Sequence, residues 1–211
     1  MESSTTKENI LRQIRKALEH PVPLPFPLQD MSSQIYPEPG DDLSVLFAAE
    51  FTRLLGRFAY CINKEDLVSQ VTALIREQKW KEIYCKEVLI QDIFTNSGFN
   101  DFSEKSLAES DVSITSCESL VARTGSIVLS ATITEGRTAS VYAPIHICIA
   151  RTSQLVYDVK DALSFLQKKY GDQLPSMISF ATGPSRTADI EKTLVVGVHG
   201  PKEVYCFLLD K

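Results

Sequence analysis

Residues 111–150 read DVSITSCESL VARTGSIVLS ATITEGRTAS VYAPIHICIA, and the fold class turns on them. Val112–Thr115, Ser126–Thr132, Ala139–Tyr142 and Ile145–Ala150 each have the length and β-branched or aromatic content of a strand. Ile145–Ala150 is almost continuously apolar, the pattern of a strand covered on both faces. Thr134–Glu135–Gly136–Arg137 has the composition of a hairpin tip, which predicts that part of the sheet is antiparallel. Towards the C-terminus, Met177–Ala181, Thr193–Val198 and Val204–Leu209 are further strands. A helix, Asp158–Lys169, sits among them with Ala162, Phe165 and Leu166 apolar. Towards the N-terminus, Thr95–Ser110 is polar and irregular, Glu87–Phe94 helical and Glu82–Cys85 a short strand. Before these come two amphipathic helices. Leu43, Phe47, Phe51 and Leu54 mark one; Leu67, Val71, Leu74 and Ile75 mark the other, with Asn63 as N-cap and Glu65 and Asp66 in its first turn. Helices clustered first and alternating later predict an α/β domain with a covered, mixed sheet over residues 41–211.

Residues 1–40 are different in kind. Ile10, Ile14 and Leu18 fall on one face of a short helix whose other positions include Lys7, Arg12, Arg15 and Lys16. Pro21–Gly40 holds six of the ten prolines and reads as an extended arm. Its apolar residues either lie on their own domain or cross to a partner subunit, so a homodimer is one reading of this extension.

The 211 residues carry 22 Lys+Arg and 27 Asp+Glu, a net charge of −5. That balance argues against a nucleic-acid grip, which needs a basic surface. No run approaches the length of a membrane span and the N-terminus lacks the apolar core of a signal peptide, so a cytoplasmic location is expected. The five cysteines, at 61, 85, 117, 148 and 206, include no CxxC or CxH pair. The chain is therefore expected to hold no metal and no iron–sulfur cluster of its own.

Chemistry is most legible in Met177–Gly200. An apolar strand runs into Thr182–Gly183–Pro184–Ser185–Arg186–Thr187–Ala188–Asp189–Ile190–Glu191. Strand, Gly–Pro turn and Ser/Arg/Thr opening a helical turn would form an anion site, with backbone N–H groups and the Arg186 fork facing a carboxylate or phosphate. The same residues also read as a simple helix cap, with Asp189 and Glu191 complementing the dipole. Thr115 to Glu118 has capping-box spacing; Glu118 is either a cap or an acid–base carboxylate at a strand end. Cys117 reads as structural sooner than nucleophilic. His20 closes the first helix, while His146 and His199 lie in or beside apolar strands where they could meet in a pocket. No Walker A loop, GxGxxG or HxxxH is present.

Taken in order, Arg123–Thr124–Gly125, Gly136–Arg137, Tyr142–Ala143–Pro144–Ile145–His146, Gly183–Glu191 and Gly197–Val198–His199–Gly200–Pro201 resemble the lactate-utilisation protein C family, or LUD-domain family. The resemblance is strong over Val112–Leu209 and looser over the helical N-terminal half. It implies a three-layer mixed-sheet α/β domain similar to the NagB/RpiA/CoA-transferase-like fold, with an N-terminal helical extension. It also implies a non-redox role in oxidising L-lactate to pyruvate beside iron–sulfur partner proteins. The implied binding candidates are Thr124, Gly125, Arg137, His146, Gly183, Ser185, Arg186, Thr187, Asp189, Glu191 and His199, with Glu118 for acid–base work. The alternatives are an independent enzyme on phosphorylated sugars or CoA thioesters and a ligand-free structural or regulatory subunit. One departure stands out: the family commonly has an acidic residue before the Thr–Gly pair, where this chain has Arg123.

Overall fold

The structure is a computed structural model that describes residues 6–19, 36, 40, 42–133, 138–190 and 193–210. His20, most of the proline-rich arm, the 134–137 hairpin tip with Arg137, and Glu191 lie outside the described residues. The chain forms two units, Met1–Glu38 and Pro39–Lys211. The first contains helix α1 (Thr6–Leu18), which buries none of its residues.

The second unit runs α2 (Leu43–Arg53), β1 (Arg57–Cys61), α3 (Lys64–Gln78), β2 (Ile83–Tyr84), α4 (Val88–Thr95), β3 (Val112–Thr115), β4 (Ser119–Val121), β5 (Ser126–Ser130), α5 (Ala139–Tyr142), β6 (Ile145–Arg151), β7 (Leu155–Val156), α6 (Val159–Tyr170), β8 (Ile178–Ala181), β9 (Arg186–Ile190), β10 (Thr193–Val196) and β11 (Glu203–Leu209). A central sheet, ordered β1-β11-β6-β3-β2, is parallel throughout. A second sheet, β7-β4-β5-β8, holds the antiparallel pairs. β9 and β10 form a separate antiparallel ribbon.

Strand alternation sets the layers. Ile147, Ile149, Tyr205, Phe207 and Leu209 point to one side, against Leu67, Val71 and Ile75 of α3 and Ile90 and Phe94 of α4. Cys148, Ala150, Val204, Cys206 and Leu208 point to the other, against Phe47 and Phe51 of α2 and Leu120, Ile127 and Leu129 of the second sheet. Ala162 and Leu166 of α6 cover the outer face of that second sheet, over Val121 and Val128. The result is a three-layer α/β fold: α3 and α4, then the parallel sheet, then α2 beside the second sheet, with α6 outside. Asn63 caps α3 by accepting from Asp66 N at 2.8 Å, and Asp42 caps α2.

Four expectations are corrected. Ala139–Tyr142 is a single helical turn, held by Ser113 Oγ donating to Ala139 O at 2.5 Å. Residues 186–190 are a strand paired with β10, so no helix begins at Ser185. Thr115–Glu118 does not open a helix; Glu118 N donates to Val128 O at 2.8 Å and the chain continues into β4. The short strands β1, β4 and β7 are additional to those read from the sequence.

Candidate functional site

The parallel strands β6 and β11 begin side by side, with Glu203 opposite Ile145 and Val204 opposite His146. Above their first residues lies a cavity of about 320 Å³. Its floor is His146; its walls are Leu129 of β5, Ser140 of α5 and the end of β8; its rim is Gly183–Ser185 and His199–Pro201. A second cavity of about 440 Å³ adjoins it, sharing Val141, His199 and Gly200 and reaching Lys202. Among the described residues, neither lining contains an aspartate or glutamate.

His146 is 1 % exposed, and its Nε2 lies 2.8 Å from Thr115 Oγ1. With its proton donated to Ser116 O, 2.9 Å away, the Thr115 hydroxyl accepts from Nε2–H; in that tautomer Nδ1 is the ring's bare lone pair. Burial lowers the His146 pKa to about 4, so the imidazole is neutral near neutral pH. A neutral, oriented imidazole in a cavity lined with hydroxyls can accept a hydrogen bond or a proton from a ligand hydroxyl.

The rim is fixed by backbone bonds. Ser185 N donates to Pro201 O at 2.9 Å, and Gly197 N donates to Ser185 O at 2.8 Å. The Ser185 N–H is therefore spent within the protein rather than offered to an anion. Gly200 faces Ser185, where a Cβ would stand 2.8 Å from Ser185 Cβ. His199, between these contacts, is exposed at the junction of the two cavities.

Of the remaining candidates, Gly183 is at the rim, while Thr124, Gly125, Arg186 and Thr187 lie away from the cavity lining. Arg186 is exposed, and its Nη2 donates to Leu54 O at 3.1 Å, at the carbonyl end of α2 where the helix dipole favours a cation. Gly183 has φ +84°, and a Cβ there would meet the same Leu54 O at 2.5 Å. Gly125, at φ +59°, runs equally close to Phe51 N. Thr124 reaches the cavity indirectly, through 2.8 Å contacts from its hydroxyl to Ser126 and from Ser126 to Thr182. Thr187 and Asp189 belong to β9, and Thr187 is outside the cavity lining.

Glu118 is 2 % exposed and belongs to the contact between α6 and the second sheet. It accepts from Lys169 Nζ at 2.7 Å, Ser130 Oγ at 2.6 Å and Tyr170 OH at 2.8 Å. Burial opposes its ionisation, but these donors prevail and hold the carboxyl below its ordinary value. Arg123 makes a bidentate pair with Asp158, Nε–Oδ2 3.0 Å and Nη2–Oδ1 2.9 Å. Asp158 is the N-cap of α6, so the residue standing in the acidic position anchors a helix start. All five cysteines are buried free thiols; burial pushes Cys61 and Cys85 up to about 12, and hydrogen bonding with Cys148 plus burial raises Cys117. Lys202 escaped the sequence reading. Its signal was its place directly after the Gly197–Pro201 run.

The comparisons agree on the family. The family model described as LUD domain matches residues 46–209. Lactate utilization protein C 1 of Bacillus mycoides (strain KBAB4) is 31% identical over 166 residues, covering 70% of this chain and 71% of that protein. Lactate utilization protein C of Bacillus subtilis (strain 168) is 36% identical over 110 residues, covering 51% of this chain and 46% of that protein. Against several of these relatives the chain thus spans less than half of their length. A crystal structure of a duf162 family protein from Deinococcus radiodurans superposes with a TM-score of 0.56 at 18% identity, covering 79% of this chain and 96% of the other. That likeness supports the fold. Among the described residues, no helix is long and apolar enough to cross a membrane.

Proposed function

Because the chain belongs to the LUD domain family, we propose that it is a component of an L-lactate-to-pyruvate oxidation system and binds a small carboxylate in the His146 cavity. The electrons released would pass to iron–sulfur partner proteins, and this chain would contribute binding and orientation. The names of its relatives support the pathway. The observation that carries the binding role is the cavity itself, which joins a neutral histidine to several hydroxyl-bearing residues and, among the described residues, has no carboxylate in its lining to repel an acid.

In this reading His146 Nδ1 accepts the hydrogen bond of the ligand's 2-hydroxyl. The hydroxyls of Thr182 and Ser185, with His199 at the rim, face its carboxylate. Leu129 and Ala181 take the methyl group. Calorimetry with L-lactate, paired with growth of a deletion strain on L-lactate, tests the proposal. Binding that His146→Ala weakens at least tenfold, about 1.4 kcal/mol, and a growth defect that the same variant fails to rescue are expected. Normal growth of the deletion strain would remove the pathway role; undiminished binding by His146→Ala would remove the site.

A further inference from the structure

The first cavity does not end at His199. It opens into the second, and Lys202 stands there. The run Gly197–Lys202 is shaped around that side chain. Gly197 has φ +78°, and a Cβ on it would lie 2.2 Å from Lys202 Cγ, so the missing side chain makes the trough in which the Lys202 stem lies. The backbone of Lys202 is pinned from the other side, its N–H donating to Pro144 O at 2.7 Å. The neighbouring carboxylate, Glu203, is engaged elsewhere, with Arg57 at 3.0 Å and Tyr205 OH at 2.7 Å. Among the described residues the Lys202 ammonium has no acidic partner within ion-pair distance. A cation held over a glycine trough, in a cavity with no acidic residue in its described lining, is a place for an oxyanion.

We propose that Lys202 and His199 form a second subsite for an oxyanion, so that the site takes a two-headed acid: a 2-hydroxy-acid head over His146 and a second carboxylate or phosphate at Lys202. The inference rests on the carboxylate pocket proposed above and deepens it. A three-carbon monoacid would occupy only part of the first cavity and leave the second, larger one to water.

The experiment compares three ligands with the same head: L-lactate, L-malate with an added carboxylate, and 3-phospho-L-glycerate with an added phosphate. Each is titrated calorimetrically into the full chain and into Lys202→Met, which keeps the stem over Gly197, and Lys202→Arg, which keeps the charge. At least one two-headed acid should bind about tenfold or more tighter than L-lactate. That advantage should vanish in Lys202→Met, return in part in Lys202→Arg, and leave L-lactate affinity unchanged throughout. Malate and phosphoglycerate separate a carboxylate from a phosphate as the second head. If L-lactate binds and neither two-headed acid gains, or the gain survives Lys202→Met, the second subsite is wrong and the pocket stands. If a two-headed acid binds, Lys202→Met abolishes that binding and L-lactate does not bind, the subsite stands and the lactate pocket falls. If nothing binds, both fall.

Discussion

His146 is a charge decision as well as a contact. Its folded pKa is about 4, against 6.5 for the unperturbed side chain. The folded state therefore disfavours the imidazolium, while the unfolded chain takes up a proton below pH 6.5. Stability is full above that value and is lost as pH falls towards 4, by about 3 kcal/mol in all. Denaturant unfolding at pH 7 and pH 4.5 should show this loss in the native chain, and His146→Gln should lack most of it. Equal losses in both would mean the imidazole is not the titrating group. Glu118 has the same sign for the opposite reason, since its partners favour the charged form where burial disfavours it for His146. Its carboxyl lies below the ordinary 4.5, so its contribution is full above that value and disappears as pH falls further, through the folded pKa. The sequence offered both residues as chemical candidates and could not separate them, because burial and partners decide. One faces a cavity; the other is consumed by a lysine, a tyrosine and a serine.

At the scale of elements, two of the motif glycines, Gly125 and Gly183, seat α2. Gly125 and Gly183 lie against Phe51 N and Leu54 O, and Arg186 donates to the same Leu54 carbonyl. Gly183→Ala would add a Cβ at positive φ against a backbone oxygen. It should cost about 2–4 kcal/mol, from the left-handed backbone and the overpacking together, a fall of roughly 5–15 °C in Tm for a chain of this size. Arg186→Ala should cost less than about 1 kcal/mol at its exposed position and leave ligand affinity unchanged; a tenfold loss of affinity with normal Tm would return Arg186 to the binding site. Glu118→Ala should cost about 2–3 kcal/mol by stripping the α6 contact of its acceptor, with ligand affinity again unmoved. The helices and long strands were legible because they are periodic and capped. Asn63, Asp158 and the runs at 145–150 and 204–209 carry their own signals. The 182–191 stretch was not. Ser185 and the acidic residues after it look like a helix start, but β9 takes its hydrogen bonds from β10, a partner the local sequence does not name. Ala139–Tyr142 failed the same way, since a hydroxyl from β3 settles its backbone.

Across the whole molecule, the Pro39–Lys211 unit contains both faces of the parallel sheet and all three apolar clusters. The described residues that line the His146 cavity lie in that unit. Helix α1 has only thirteen residues and buries none of them, and an isolated helix of that length is marginal in water. Its stripe of Ile10, Ile14 and Leu18 is thus better suited to recognition than to holding the core together. A chain beginning at Pro39 should therefore unfold within about 2 °C of the full chain, as expected for a loss below roughly 1 kcal/mol, and keep its ligand affinity. The peptide 1–38 alone should be weakly helical by circular dichroism. Light scattering on the two chains then isolates what the extension does. If the full chain is a dimer and the shortened one a monomer, residues 1–38 are the subunit contact; a collapse in Tm on shortening would instead make them part of the core.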